Sequence, residues 1–360
     1  MSYATLDRIP KMLVERGCAV TMVASGPPSP GHRFEVVRYK TIPMIRGISI
    51  LLDFFALVRW IRFLRTVRPD GVTAGSPKAG LLVMVAARIC RVPVRQYQVW
   101  GCRWDRGRGL RCELARLAER LACDCATDVV AVSGGVRNLL QNASIARGRV
   151  RVLGRGGSKG VDLGRFIPPI ERAPGSPPTI GFAGRLARDK GVDLLPEILR
   201  GVRARVPSAR LLVAGAPDAA DPCDEQTHRE LSAMEGVTLL GAVTDMPAFF
   251  QSIDVFCLPT LREGLPSVVL EAAACHVPTV AWRVTGLEDA VTDGETGFLC
   301  AYGDLESMIQ NITTLLHQDS KRHLFGSAAR RHAEEHFAAD TVQGRSVDDL
   351  VAQVVAAARD

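Results

Sequence analysis

The 360-residue chain is predicted to be an α/β protein of two domains, on three observations. It is too long for one ordinary hydrophobic core. Aliphatic residues are plentiful while aromatic residues make up 6% of the sequence, the balance expected of parallel strands buried beneath helices on both faces. Phe166 to Pro178 holds five prolines and a glycine in thirteen residues, which sustains neither a helix nor a central strand and so reads as a linker. The expected boundaries are 1–166, a linker at 167–178, a second domain at 179–340, and a last helical stretch at 341–360 that packs back on the first domain.

The first domain reads as alternating strands and helices joined by parallel βαβ connections. Pro10 to Arg16 suits a helix stopped at Gly17, Ala19 to Ala24 a strand, and Gly71 to Ala74 another strand. Between them, Ile48 to Arg68 places Leu51, Phe54, Phe55, Val58, Ile61, Phe63 and Leu64 beside a basic stripe of Arg59, Arg62, Arg65 and Arg68. Such a helix either lies in a lipid headgroup plane or packs its apolar face on the domain core, and both readings hold if different faces are used. Ala79 to Cys90 reads as a helix, Arg95 to Val99 as a strand, Glu113 to Cys123 as a helix and Val129 to Ser133 as a strand. Ser76, Lys78 and Gly80 occupy a strand-to-helix turn, where they either face a substrate phosphate or simply open the helix. Gly101 follows a strand, where a turn without a side chain lets a ligand approach. Trp100 and Trp104 line an acceptor or serve as packing residues.

In the second domain, Thr179 to Ala183 is a short apolar strand running into Gly184, Arg185 and Lys190 and then an amphipathic helix. Gly184 permits close backbone approach, Arg185 offers a planar fork, and Lys190 offers a point charge; together they suit a diphosphate. Arg210 to Gly215, Val237 to Gly241, Asp254 to Pro259 and Thr279 to Trp282 read as further strands, and Asp340 to Ala357 as the last helix. After the strand at Asp254 to Pro259 comes Glu263-Gly-Leu-Pro-Ser-Val-Val-Leu-Glu271, two carboxylates separated by seven residues around a turn entering a helix. Glu263 thus sits at a strand's C-terminal edge, where open α/β sheets bind ligands. Ser267 and Val268 offer unpaired amides at a positive helix end, and Glu271 follows one turn later.

These residues resemble the retaining GT-B glycosyltransferases of glycosyltransferase family 4. The resemblance is carried by Gly184-Arg185 with Lys190-Gly191, by Glu263 through Glu271, and by Gly286 to Phe298. Gly75 to Leu81 and Val152 to Phe166 look like a subgroup that builds bacterial surface polysaccharides on lipid carriers. The likeness covers nearly the whole chain and is most specific in the second half. It implies two Rossmann-like domains whose parallel sheets face each other across a cleft. It implies a nucleotide-sugar donor, UDP-linked, in the second domain, and a lipid-linked or saccharide acceptor near Ser76, Lys78, Gly80 and Gly101 in the first.

On that likeness Arg185, Lys190 and the amides of Ser267 and Val268 hold the diphosphate, where developing charge on the leaving group is best stabilised. Glu263 with the backbone of Gly264 and Leu265 holds sugar hydroxyls, Glu271 binds the ribose, and Gly241 to Asp245 lies near the base. The family retains anomeric configuration, by front-face attack in which the leaving phosphate takes the acceptor proton, so Glu263 is a positioning and electrostatic residue. No Asp-x-Asp occurs in the sequence, and no metal or other cofactor is expected.

Charge divides with the domains. Residues 1–170 carry 28 Lys or Arg against 11 Asp or Glu, and residues 171–360 carry 17 against 27. The basic half calls for an anionic partner, and an anionic membrane surface or phosphate-bearing lipid fits it better than nucleic acid, for which no binding module is recognisable. Ten cysteines without paired C-x-x-C motifs read as reduced thiols of a cytoplasmic protein, working at the inner face of the membrane. Met1 to Arg16 is polar and charged and does not read as a secretory leader, and no apolar run is long enough to span a bilayer.

Two departures from the family pattern stand out. The stretch Thr73 to Ser76 lacks the histidine many members place there, and His32 is the only histidine of the first half. The sequence also opens almost directly on a helix where such domains begin with a strand. The expectation is that the first strand of the N-terminal domain is missing, either because the true start lies upstream or because this copy is truncated. Two other functions therefore stay open: a nucleotide-sugar epimerase of GT-B fold, and an inactive, truncated, membrane-bound homologue. A nicotinamide enzyme is disfavoured, because Gly154-Arg-Gly-Gly-Ser-Lys-Gly160 does not fit G-x-G-x-x-G.

Overall fold

A computed structural model describes residues 8–26, 37–44, 49–102, 104–105, 107, 109–168, 175–218 and 221–359. His32, Ile48 and the opening residues Met1 to Asp7, on which expectations above fall, lie outside this set, as do residues 169–174 of the proline-rich segment. The chain forms two compact units, one of residues 1–159 with 340–360, the other of residues 160–339. The division comes ahead of the proline-rich segment for a visible reason. Val161 donates to the Phe337 carbonyl (2.8 Å) and accepts from the Ala339 amide (2.9 Å), and Phe166 belongs to the second unit's core.

In the first unit the order is α1 (Ile9–Glu15), β1 (Thr21–Ala24), β2 (Arg38–Thr41), α2 (Ile50–Val67), β3 (Gly71–Gly75), α3 (Pro77–Ile89), β4 (Val94–Val99), α4 (Leu110–Cys125), β5 (Asp128–Ala131), α5 (Gly134–Asn142) and β6 (Val150–Arg151). Among the described residues all strand pairs of this unit are parallel, and they fall into two sheets: β1 with β2, and β3-β4-β5-β6. Ser133 does not extend β5. Its hydroxyl accepts from the Val136 amide (3.2 Å) and caps α5, the role for which a serine before a helix is suited. Between the sheet and α4, the Tyr97 hydroxyl donates to Glu119 at 2.6 Å, both side chains being buried.

The second unit contains β7 (Thr179–Ala183), α6 (Leu195–Arg203), β8 (Arg210–Ala214), α7 (Glu225–Ala233), β9 (Val237–Gly241), α8 (Met246–Gln251), β10 (Val255–Leu258), α9 (Ser267–Ala274), β11 (Thr279–Trp282), α10 (Leu287–Ala290), β12 (Gly297–Cys300), α11 (Leu305–His317) and α12 (Asp319–Phe337). Its six parallel strands run in the order β12-β11-β10-β7-β8-β9. Every residue of β7, β10 and β11 is buried, which is why these strands read as continuous apolar runs rather than alternating ones. The strand after β7 lies on one side of it and β10 on the other, so the chain reverses direction across the sheet between β7 and β10. Such a switch point opens a crevice at the strands' C-terminal edge.

A final helix, α13 (Ala339–Ala357), packs on the first unit. Asp349 accepts from Arg151 (2.7 and 2.8 Å) and from Gln96 (3.0 Å), while Gln353 donates to Asp128 (3.0 Å). Arg151 also forks onto Asp128 at 2.8 and 2.6 Å, so β4, β5, β6 and α13 share one polar network. All three sheets of the described residues are parallel and the architecture is α/β, as the sequence predicts.

Candidate functional site

The two loops at the switch point of the second unit, residues 184–191 after β7 and 259–266 after β10, are stitched together. The Leu261 amide and the Thr260 hydroxyl both donate to the Asp189 carbonyl, at 2.9 and 3.0 Å. Gly191 makes this approach possible. It sits at φ 71°, and a Cβ there would stand 1.9 Å from the Pro259 carbonyl oxygen. On that seam Lys190 Nζ meets Glu263 Oε1 at 2.6 Å, with both side chains more than four-fifths buried. The structure thus brings together a cation and a carboxylate that stand 73 residues apart in sequence.

Arg185 lies on the same loop and is half-exposed, in an ion pair with Asp218 and 3.4 Å from Asp189. Burial works against its charge, but the hydrogen bond to Asp218 and the charges of both aspartates outweigh it and hold the guanidinium above its ordinary value. Arg262, next to Glu263, also reaches Asp189, at 3.1 Å. Asp189, Asp218 and Arg262 escape sequence reasoning. Their spacing carries no motif, and only the crossing of the two loops makes them neighbours. The pattern is a cluster of cations each held by a carboxylate of the protein.

Ser267 and Val268 are the first two residues of α9, behind Pro266 at the N-cap. Their amides have no partner among the described residues, as the start of a helix dictates. Gly264 is buried, and a Cβ on Gly286, at φ 80°, would meet its carbonyl at 2.0 Å, so the 259–266 loop is also clamped from the β11 side. Leu265 packs on the core. Glu271 is 8% exposed, one turn into α9. Gly184 donates to Ala214, and Gly241, at φ 65°, ends β9 and accepts from Gly215 (2.7 Å). Asp245 caps α8 by accepting from Ala248 (3.2 Å).

In the first unit, Ser76 opens α3 at φ 71°, a left-handed conformation a serine rarely takes. Lys78 is in a 2.5 Å ion pair with Asp53 of α2. Gly101 follows β4 and is half-buried. Gly80, read from sequence as an acceptor contact, is instead buried under the Tyr97 ring: a Cβ there would be 2.2 Å from Tyr97 Cε2, so its lack of a side chain serves packing. Trp104 is likewise buried, with Arg116 5.3 Å over its ring, while Trp100 covers Gly75 and donates to Gln98 (3.2 Å). Among the described residues no group of three or more His, Cys, Asp or Glu is placed to hold a metal ion.

With this geometry in view, comparison with known proteins is specific. A family model described as "Glycosyl transferase 4-like domain" matches residues 4–156, and one described as "Glycosyl transferases group 1" matches residues 177–318. The capsular polysaccharide biosynthesis glycosyltransferase CapM of Staphylococcus aureus is 31% identical over 309 residues, covering 84% of this chain and 81% of that protein. An Escherichia coli UDP-Gal:alpha-D-GlcNAc-diphosphoundecaprenol alpha-1,3-galactosyltransferase is 24% identical over 290 residues, covering 77% and 74%. Among solved structures, sucrose-phosphate synthase of Thermosynechococcus elongatus superposes with a TM-score of 0.79 at 18% identity, over 97% of this chain and 92% of that one. Anabaena HepE in complex with UDP gives 0.76 at 18% identity, over 97% and 96%. Fold, family models and relatives agree: the chain belongs to the GT-B glycosyltransferases of family 4 type.

Proposed function

We propose that the second unit holds a nucleotide sugar, UDP-linked, and that the chain transfers its sugar to a lipid-linked saccharide in polysaccharide biosynthesis, with retention of configuration. The observation that carries this is the Lys190–Glu263 contact across the β7/β10 switch point, beside the open amides of α9. Lys190, Arg185 and those amides take the diphosphate, Asp218 giving up Arg185 as the ligand arrives. Glu263 and the Gly264-Leu265 backbone orient sugar hydroxyls, Glu271 the ribose, and Gly241 to Asp245 the base. In the reaction the anomeric carbon's bond to the phosphate oxygen breaks while its bond to the acceptor oxygen forms on the same face. The acceptor proton passes to the leaving phosphate, and the charge on that phosphate is met by Arg185 and Lys190 without a metal ion.

The acceptor is assigned to the first unit at Ser76, Lys78 and Gly101, and to the cytoplasmic face of the membrane. Two features of that unit support a lipid partner. Ile50, Leu51, Phe54 and Phe55 are exposed on the first two turns of α2, and Leu110, Leu114, Leu117 and Leu121 make an exposed stripe on α4. Apolar residues beside arginines on helix surfaces suit an anionic lipid interface. No helix among the described residues is long and apolar enough to cross a membrane.

One observation favours the alternative of a donor-binding chain without transfer. Among the described residues the first unit's strands form two separate sheets, whereas the second unit's form one. The test is incubation of the protein with a panel of UDP-sugars and a diphosphate-linked lipid acceptor, with product mass and anomeric configuration read out. Product forming in the presence of chelator supports the reading; donor binding without product supports the alternative.

A further inference from the structure

The first unit carries a cavity of about 440 Å³ at the edge of its sheet opposite Ser76 and Gly101. It is lined by Arg65 and Arg68 at the end of α2, Cys90 and Arg91 at the end of α3, and Asp70 just before β3. Strand β3 is five residues long, which separates this edge from the Ser76 turn by roughly 16 Å.

Two independent features mark the cavity. The first is charge. Arg65, Arg68 and Arg91 hold no carboxylate among the described residues, although Asp70 lines the same space. Other exposed arginines are likewise without a carboxylate, and what distinguishes these three is that they line one cavity. The second is backbone. Arg68, directly after α2, and Arg91, one residue beyond the Cys90 cap of the neighbouring α3, stand in the left-handed region at φ 49° and 56°. Helices commonly end on a residue in that conformation, and the residue is usually glycine, because a side chain there is strained. Arginine near a helix C-terminus is favourable for the dipole, but that benefit is available at any position of the last turn and does not call for the strained one. Ser144 after α5 and His276 after α9 take the same conformation, and what sets Arg68 and Arg91 apart is that they stand on adjacent helices and face one cavity.

We propose that this cavity is a binding site for a phosphate-bearing anion, separate from both the donor loops and the Ser76 turn. Its volume lies in the range of small-ligand sites and accommodates a diphosphate. Guanidinium groups bind phosphate oxygens through paired N–H donors. The phosphate belongs to a soluble metabolite or to a lipid headgroup, and the two sources share this chemistry. The inference does not rest on the transferase reading.

The test uses the full chain carrying Lys190→Gln and Arg185→Gln, which removes both donor-loop cations from the measurement. Inorganic pyrophosphate is titrated into it by calorimetry, with and without Arg68→Gly and Arg91→Gly. Glycine relieves the left-handed strain at both positions, so the melting temperature is expected to hold or rise, and lost binding then cannot be lost folding. In parallel, sedimentation is measured with phosphatidylcholine vesicles with and without phosphatidylglycerol. The expected result is that the two glycines weaken binding about tenfold or more in one arm. Loss in the pyrophosphate arm identifies a soluble ligand, and loss confined to phosphatidylglycerol vesicles a headgroup. Curves unchanged by the two glycines in both arms overturn the proposal.

Discussion

At the scale of single residues, the account turns on charges brought together across the switch point of the second unit. Lys190→Ala removes the cation that meets Glu263, and the expected outcome is a fall in kcat of about 10²–10³ with the fold intact, measured by initial rates and circular dichroism. Gly191→Ala acts differently. The new methyl would stand against the Pro259 carbonyl at a positive φ, so the loop has to move, and a loss of about 1–3 kcal/mol in stability should accompany the loss of activity. Glu119 gives a pH signature in the other unit. Burial raises its carboxyl from 4.5 to about 7, while the Tyr97 hydrogen bond pulls it the other way. Because its pKa is higher folded than unfolded, its contribution is fully present below pH 4.5 and is lost as pH rises through 7. Denaturant melts should show stability falling by up to about 3 kcal/mol over that window, and Glu119→Gln should flatten the slope.

Elements show where sequence was informative and where it was not. β7, β10 and β11 are legible because buried parallel strands are continuous apolar runs, and Gly184, Arg185, Lys190 and Glu263 are legible as loop residues beyond the strand ends, where the structure places them. Asp189, Asp218 and Arg262 are not, since their roles arise only where the 184–191 and 259–266 loops cross. Gly80 is comparable: a glycine in a strand-to-helix turn suggests a ligand contact, and nothing local reveals the Tyr97 ring packed above it. β2, α5 and β6 passed unnoticed, being short and half-polar. For α2 two faces were needed. Ala56, Trp60 and Leu64 are buried while Leu51, Phe54 and Phe55 are exposed, so one helix serves the core and leaves an apolar end outside. Phe54→Ser with Phe55→Ser should leave the melting temperature within a degree or two, since exposed positions contribute little to stability. The same change should reduce sedimentation with anionic vesicles; unchanged sedimentation would remove α2 from the membrane reading. Asp349→Ala on α13 strips Arg151 and Gln96 of a shared acceptor, and a loss of about 1–3 kcal/mol in a urea melt is expected.

For the whole molecule, the two units divide the labour by charge as well as by topology. Cations at the β7/β10 loops are held by the second unit's own aspartates and glutamate, while the first unit has a large excess of basic residues and apolar residues exposed on α2 and α4. The family membership says what kind of reaction this serves, and the proposed donor site lies at the β7/β10 loops. The most direct test is the mass of the product formed from a UDP-sugar panel and a diphosphate-linked lipid acceptor, run side by side with wild type and Lys190→Ala. The account predicts one glycosyl unit added by wild type, in chelator as well as without it, and almost none added by Lys190→Ala. Equal transfer by the two proteins, or no transfer from any UDP-sugar, would contradict it.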